Sequence, residues 1–262
     1  CGTVNDISMS GATPIYISVG FIIEEGLPIN DLEKIVQSMS KTAKEAGIKI
    51  VTGDTKVVEK GSCDKIYINT TGIGVVESNN TYLSGDNVKD GDMIIISGTL
   101  GDHGMCIMNK RENLGFESSI KSDCCLLNKL IEDILSVSNK VKVLRDPTRG
   151  GLATTLNEII EHSNISMEIE EDFIPVKPEV AAMCEILGVD PLFIANEGKL
   201  VVIVDESDVN NVLNIMKNNP VGKDSVLLGE AINDGKNKLY LKTKIGGRRI
   251  INMPECEILV RI

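Results

Sequence analysis

The sequence predicts a mixed α+β fold, and three observations lead there. Short β-branched apolar runs at 48–51, 93–97 and 199–204 interleave with helical stripes, but without the strict rhythm of a doubly wound sheet. Aromatic residues make up 3% of the chain and Trp is absent, so the core must be built from Ile, Val, Leu and Ala, which suits sheets covered by helices. The length of 262 residues fits one large domain or two ordinary ones.

Along the chain, residues 13–23 form a continuous apolar run that fits a buried helix as well as a strand. Apolar positions 32, 35, 36, 39, 43 and 46 make a helical stripe over 31–46, with Asn30 or Asp31 available to cap it and Gly47 to stop it. A short strand at 48–51 should end in a polar loop, and 65–76 alternates as a strand antiparallel to its neighbour. The polar, turn-rich stretch 77–92 is the expected domain boundary. Beyond the strand at 93–97, helical patterns fit 104–111, 122–137, 151–162, 178–187 and 206–217. Strands fit 141–144, 166–170, 199–204, 226–231 and 238–243. There is no solenoid-period repeat and no low-complexity segment.

Charge narrows the function. With 27 Lys and Arg against 38 Asp and Glu, the net charge is −11, the wrong field for a broad nucleic-acid footprint. Polyanionic ligands remain open only through metal ions and backbone donors. The seven cysteines, at 1, 63, 106, 124, 125, 184 and 256, form no C-x-x-C pair and suggest neither a disulfide framework nor a zinc site, so a reducing cytoplasm is expected. No apolar run approaches the ~18 residues of a membrane span, and no signal peptide is visible. The chain opens at Cys1 and stops at Arg261-Ile262, as a piece of a longer protein would.

Three glycine-bearing loops at predicted strand ends could carry chemistry. Gly53-Asp54-Thr55-Lys56 places a carboxylate in a tight turn, suited to Mg²⁺, beside a compact cation able to neutralise phosphate; a plain surface turn reads equally well. Ser97-Gly98-Thr99-Leu100-Gly101-Asp102-His103-Gly104 runs from strand through three glycines into a helix, a plausible anion cradle of unpaired N–H groups. Its spacing is neither the Rossmann nor the Walker pattern, and His103 alone reads first as a hydrogen-bonding residue. Asp146-Pro147-Thr148-Arg149-Gly150-Gly151-Leu152 offers a helix cap, a phosphate fork on Arg149 and two glycines that would let a ligand approach the backbone. Asp6 could join Asp54 around a metal, and Glu197, in Ala195-Asn196-Glu197-Gly198-Lys199, could act as a general base. Several acid-plus-glycine turns together suggest a magnesium–nucleotide site.

Taken as a set, these motifs carry a specific resemblance. Gly2-Thr3-Val4-Asn5-Asp6 with Gly11-Ala12-Thr13-Pro14, Val51-Thr52-Gly53-Asp54-Thr55-Lys56, Gly101-Asp102-His103-Gly104, Asp146-Pro147-Thr148-Arg149-Gly150-Gly151-Leu152 and Asn196-Glu197-Gly198-Lys199 resemble the HypE family of hydrogenase maturation factors. That family lies within the aminoimidazole ribonucleotide synthetase-like superfamily, and the resemblance runs from Gly2 to Ile262. The D-x-T-x-G-G-L element belongs to the superfamily; the Lys after G-D-T, the G-D-H-G loop and the N-E-G-K run narrow it.

The resemblance implies a two-domain aminoimidazole ribonucleotide synthetase-like fold. Residues 1–84 would be the N-terminal ATP-binding domain, with a mixed sheet that forms a barrel in a homodimer, and 85–262 a C-terminal α/β sandwich. It implies an ATP-dependent carbamoyl dehydratase that converts a thiocarbamate on its own C-terminal cysteine to thiocyanate, the source of the cyanide ligands of nickel–iron hydrogenase. By matching position Asp6 and Asp54 would bind Mg²⁺ and ATP, with Asp146, Thr148, Gly150 and Gly151 around the nucleotide. Lys56 and Glu197 would face the thiocarbamate, and His103 would orient the tail or the phosphates. The implied partners are the carbamoyltransferase HypF and an iron-bearing HypC–HypD complex.

The chain departs from the family at both ends. Members begin with some tens of further residues and finish in P-R-I-C, whereas this sequence finishes in Leu259-Val260-Arg261-Ile262. Cys256 sits six positions before the end and is not taken as the acceptor. The acceptor is expected on a mobile tail that visits a partner and returns. The alternatives within reach are a small-molecule kinase of the same superfamily (a selenophosphate synthetase or thiamine-phosphate kinase) and a non-enzymatic dimeric scaffold.

Overall fold

The computed structural model describes residues 1–76, 82–115 and 119–254. Part of the expected boundary stretch, together with Cys256 and the terminal run 259–262, lies outside the described residues. In chain order the elements are α1 (Gly2–Met9), β1 (Thr13–Glu24), α2 (Ile29–Ala46), β2 (Lys49–Val58), β3 (Ile66–Val75), β4 (Met93–Ile96), α3 (Asp102–Arg111), α4 (Asn128–Val137) and β5 (Val141–Arg145). They continue through α5 (Gly151–Ser163), β6 (Ser166–Glu170), α6 (Pro178–Leu187), β7 (Val201–Val204), α7 (Val209–Asn218), β8 (Val226–Ile232), β9 (Leu239–Lys242) and β10 (Arg248–Ile251). Among the described residues no helix is long and apolar enough to cross a membrane.

The strands make two sheets, β2-β1-β3 and β10-β9-β6-β8-β4-β7-β5. In the larger, β6 and β9 run parallel and the other pairs antiparallel, a mixed sheet as expected. Its central strands are apolar without interruption because both faces are covered. Ile94, Ile96, Val201 and Ile203 pack with Leu152, Leu156 and Ile159 of α5. Ile95, Val202 and Val204 point the other way, onto Leu130 and Ile134 of α4 and Val212 and Met216 of α7.

In the smaller sheet β1 is parallel to β2 and antiparallel to β3. The run left open between helix and strand is therefore a strand, with Ile17, Val19 and Ile23 buried. These face α1 and α2: Val4, Ile17, Val19, Ala43, Ala46 and Ile48 form one cluster, and Thr3 Oγ1 meets Thr70 Oγ1 at 2.5 Å. Gly72 and Gly74 are required there, since a Cβ on either would stand 2.5 Å from the Ile7 side chain. A cleft of about 710 Å³ remains between α1, α2 and β1, lined by Ile17, Val19, Ile35 and Met39, and Asp6 borders it.

Two local expectations are corrected, and two elements are added. Residues 52–56 are not a loop, because β2 continues through them to Val58, paired with the long strand β1. The polar composition misleads because β2 is solvated along most of its length, and pairing to β1 overrides the weak strand propensity of Gly and Asp. The helix expected over 122–137 begins only at Asn128. Helix α1 and strand β10 were not foreseen; both are short and carry weak periodicity.

Candidate active site

The segment 122–127, freed from helix, is a strap that draws the site together. Asn5 of α1 grips it from the N-terminal side: its Nδ2 donates to Cys125 O at 3.0 Å and its Oδ1 accepts from Leu127 N at 2.9 Å. Those bonds occupy backbone groups that would otherwise extend α4. Ser122 Oγ accepts the Cys124 N–H at 3.1 Å and lies 2.7 Å from His103 Nδ1. Asp123, almost wholly buried, accepts the Glu197 N–H on Oδ1 at 3.1 Å. Lys199 Nζ lies 3.3 Å from Asp123 Oδ2, close enough for a charge contact though outside hydrogen-bonding geometry.

The N-E-G-K run now has a separate reason for each residue. Asn196 is completely buried, and its Oδ1 accepts from Gly101 N at 2.8 Å while its Nδ2 donates to Pro147 O at 3.1 Å and Ile194 O at 2.9 Å. One side chain thus ties the loops that carry His103, Asp146 and Glu197. Gly198 lets the strap lie directly against it, and Lys199 answers the buried charge of Asp123.

Electrostatics mark Glu197 as the unusual group. Burial, reinforced by Cys124, Asp146, Asp123 and Asp6, pushes its carboxyl up to about 7. Asp146 is likewise raised, by burial first and then by the charge of Asp6. His103 is lowered by burial, against an opposing pull from Asp123, and so stays neutral near pH 7. Its Nε2 is buried without a hydrogen-bond partner. Two acids at shifted ionisation and one neutral imidazole around a shared loop cluster are equipment for proton transfer.

Other expectations need revision. The Ser97–Gly104 loop does not offer a free row of N–H groups: Leu100 N donates to Pro175 O, Gly101 N to Asn196 and Gly104 N to Ala195 O. Asp102 is spent on the loop as well, accepting from Thr99 Oγ1 and Lys177 Nζ. Neither Asp146 nor Thr148 caps α5, whose N-cap is Gly150 with φ +73° and no side-chain bond, which leaves the Asp146 carboxylate for other work. The space beside Gly151 is filled by protein, since a Cβ there would meet Leu192 O at 2.5 Å and Ile194 O at 2.7 Å. Gly150 is closed in by Thr154.

Asp54 and Lys56 stand apart from this cluster. The register sets Asp54 beside Gly20 and Asn69, and Lys56 beside Ile22 and Tyr67. Directly paired residues share a face, so both point away from the face that carries Val19, Thr70 and α1. Asp54 turns an oxygen onto its neighbour's Thr55 N–H at 2.8 Å, and it is not among the charges that act on Asp146 or Glu197, whereas Asp6 acts on both. The expected pairing of Asp6 with Asp54 is therefore not assembled by α1 and β2 of one chain; the electrostatic partner of Asp6 is Asp146.

The residues present fit a magnesium ion. The mutual repulsion of Asp6, Asp146 and Glu197 is what a divalent cation relieves. Among the described residues no three His, Cys, Asp or Glu side chains converge as a closed metal cage. Mg²⁺ needs none, because it takes one or two carboxylates and completes its shell with waters and phosphate oxygens.

Ser122, Asp123, Cys124, Asn5 and Asn196 escaped the sequence reading as site residues. The adjacent cysteines at 124–125 and the Ser-Asp pair before them were the available signal, concealed by apolar residues that mimic a helical stripe into α4.

Comparison with known proteins fits this geometry. Residues 1–76 match the N-terminal domain of AIR synthase related proteins, and residues 89–242 match the C-terminal domain of the same proteins. The fold is thus that of a two-domain AIR synthase related chain. The chain is 49% identical to the carbamoyl dehydratase HypE of Cupriavidus necator over 261 residues, covering 100% of this chain and 74% of that protein. It superposes on HypE in a crystal structure of a HypE–HypF complex with a TM-score of 0.93 and 50% identity, covering 97% of this chain and 82% of the other. A crystal structure of HypE in complex with ATP gives a TM-score of 0.93 and 45% identity, over 98% of this chain and 78% of the other. The chain belongs to the HypE family of carbamoyl dehydratases.

Proposed function

We propose that this protein dehydrates a thiocarbamate carried on a cysteine to a thiocyanate, at the expense of ATP, to supply the cyanide ligands of nickel–iron hydrogenase. The observation that carries the reading is Glu197: a carboxyl poised at about 7, anchored by its backbone to a buried aspartate, in a chain of the HypE family. A base with that ionisation takes a proton efficiently near neutrality.

Asp6 and Asp146 would hold Mg–ATP, with Thr148 and the turn formed by Gly150 and Gly151 shaping the nucleotide site. Asp54 and Lys56 would contribute from the exposed face of the small sheet of a second copy, Asp54 to the metal and Lys56 to the thiocarbamate oxygen. When bound, Mg–ATP supplies the phosphoryl group that turns a poorly leaving amide-type oxygen into phosphate. Lys56 keeps that oxygen oriented by its compact charge. Glu197 takes one proton of the thiocarbamate nitrogen as the oxygen is phosphorylated, gives it up to water, and takes the second as phosphate leaves and the carbon–nitrogen triple bond forms. Neutral His103, fixed through Ser122, orients the tail or the phosphates. The N-terminal unit, 1–84, is the one we assign to homodimerisation. HypF would donate the carbamoyl group, a HypC–HypD complex would receive the cyanide, and the free thiols suit a reducing cytoplasm.

The test is the thiocyanate yield of a carbamoylated full-length protein. Lys56→Ala and Glu197→Ala should bind ATP as the parent does and form no thiocyanate. A variant that converts its cargo at the parent rate removes that residue from the mechanism.

A further inference from the structure

We infer that Asp123 is a positioning residue of this site, one that sets the place of Glu197 and, through its neighbour Ser122, of His103; the inference rests on the role proposed above for Glu197. Asp123 is almost wholly buried, with only 3% of its side chain exposed. What it does is hold the Glu197 main chain on Oδ1, at 3.1 Å, while its other oxygen faces Lys199 Nζ at 3.3 Å. The contacts reach Glu197 itself and Lys199 two residues on, so the strap and the N-E-G-K loop are fixed to each other around Glu197. A buried ion pair adds little to stability compared with apolar packing, which makes geometry the reason to keep one here. On the strap itself, Ser122 holds His103 Nδ1 at 2.7 Å, so one short segment registers both proton-handling side chains.

Asp123 also shapes the field. Its charge is among those that, with burial and with Cys124, Asp146 and Asp6, hold the Glu197 carboxyl above its ordinary value. Asp123→Asn keeps the shape and the acceptor for the Glu197 N–H but removes the charge and leaves Lys199 unanswered.

The experiment is thiocyanate formation by the full-length, carbamoylated protein, with kcat and the KM for ATP obtained separately. For Asp123→Ala, which removes the acceptor of the Glu197 N–H, we expect kcat to fall at least ~10-fold, as misplacement of a catalytic group does, with the KM for ATP unchanged. Asp123→Asn, which keeps that acceptor, should restore most of the lost rate. Asp123→Ala/Lys199→Met, which buries no lone charge, carries the same test if the single variant does not fold. A folded Asp123→Ala variant at the parent kcat, or an Asp123→Asn variant as slow as Asp123→Ala, overturns the inference. Glu197→Gln separates the two levels. If it keeps the parent rate, the role of Glu197 falls; if it is inactive while Asp123→Ala matches the parent rate, only the positioning role falls.

Discussion

A Cβ placed on Gly198 would stand 1.9 Å from the carbonyl oxygen of Asp123, and 2.7 Å from Cys125 Sγ. The N-E-G-K loop and the strap are therefore in backbone contact, a closeness that only glycine permits. No rotamer relieves this clash, because the obstructing atom is main chain. Gly198→Ala should force the strap away and cost ~1–3 kcal/mol, the range for overpacking a close-packed interior. Thiocyanate formation should fall further than ATP binding, since the displaced residues flank Glu197. A chemical-denaturation midpoint and a turnover measurement on the same sample check both parts.

The ionisation of Glu197 ties activity to stability with opposite signs. Its carboxyl is raised to about 7 in the folded chain, above its ordinary unfolded value, so the unfolded state releases the proton first as pH rises. The group therefore costs stability progressively from about pH 4 to about pH 7, and the full penalty stands above that. Glu197→Gln should leave stability nearly unchanged in acid and raise it at pH 8. A shift of this size corresponds to at most ~3 kcal/mol, which solvent screening at a half-buried group reduces to ~1–2 kcal/mol. The same substitution should abolish dehydration. Thermal melts at two pH values decide the point: equal gains at both would show that the charge of Glu197 is not the source.

Asn196 makes three hydrogen bonds from a wholly buried side chain, to Gly101 N, Pro147 O and Ile194 O. Asn196→Leu would leave two carbonyls and one amide without those partners, at ~1–3 kcal/mol for each buried group that stays unsatisfied. Asn196→Asp keeps the acceptor but has no N–H to donate, so it should lose the Pro147 and Ile194 bonds and bring a fourth acid beside Asp6, Asp146 and Glu197. Both variants should destabilise the protein by several kcal/mol. Hydrogen exchange should speed up at Gly101 more in the Leu variant than in the Asp variant, measured against amides elsewhere in the larger sheet. An equal excess at Gly101 in both would mean that Asn196 Oδ1 is not its acceptor.

The elements legible in the sequence were those whose pattern is set by burial. Strands β4 and β7 announced themselves by uninterrupted β-branched runs, because helices cover both faces, and α5 by a clear apolar stripe. Residues 52–56 were misread because pairing with β1, not local propensity, decides their conformation. The strap was missed for a related reason: Asn5, some 120 residues away in sequence, holds Cys125 and Leu127 out of a helix their own side chains would favour. Glu197 and Asp146 could be singled out from acid-plus-glycine motifs. The partners that tune Glu197, Asp123 and Cys124, could not, because only the fold brings 122–125 against 195–199. Asp6 was singled out as a metal ligand beside Asp54, yet the acid it acts on is Asp146, an electrostatic coupling that no local pattern encodes.

The exposed face of the small sheet makes the last prediction. The register aligns Ile22 with Tyr67 and Tyr16 with Ile73, and all four are exposed. Among the described residues β2 pairs with β1 alone, so its outer edge is open to another strand. A sheet with a free edge and an apolar face is an aggregation hazard unless something covers it, and a second copy of the chain related by a twofold axis covers both at once. Asp54 and Lys56 lie on this same face, in register with Gly20 and Ile22. Dimerisation and the delivery of Lys56 to substrate should then fail together. Tyr67→Glu, which puts a charge at the centre of the face, should sediment as a monomer and lose thiocyanate formation, while Ile245→Glu, at the distant β9–β10 turn where Ile245 is 95% exposed, should change neither. A Tyr67→Glu protein that remains dimeric would show that the two copies meet elsewhere. A monomer that keeps the parent rate would show that Asp54 and Lys56 act without the second copy.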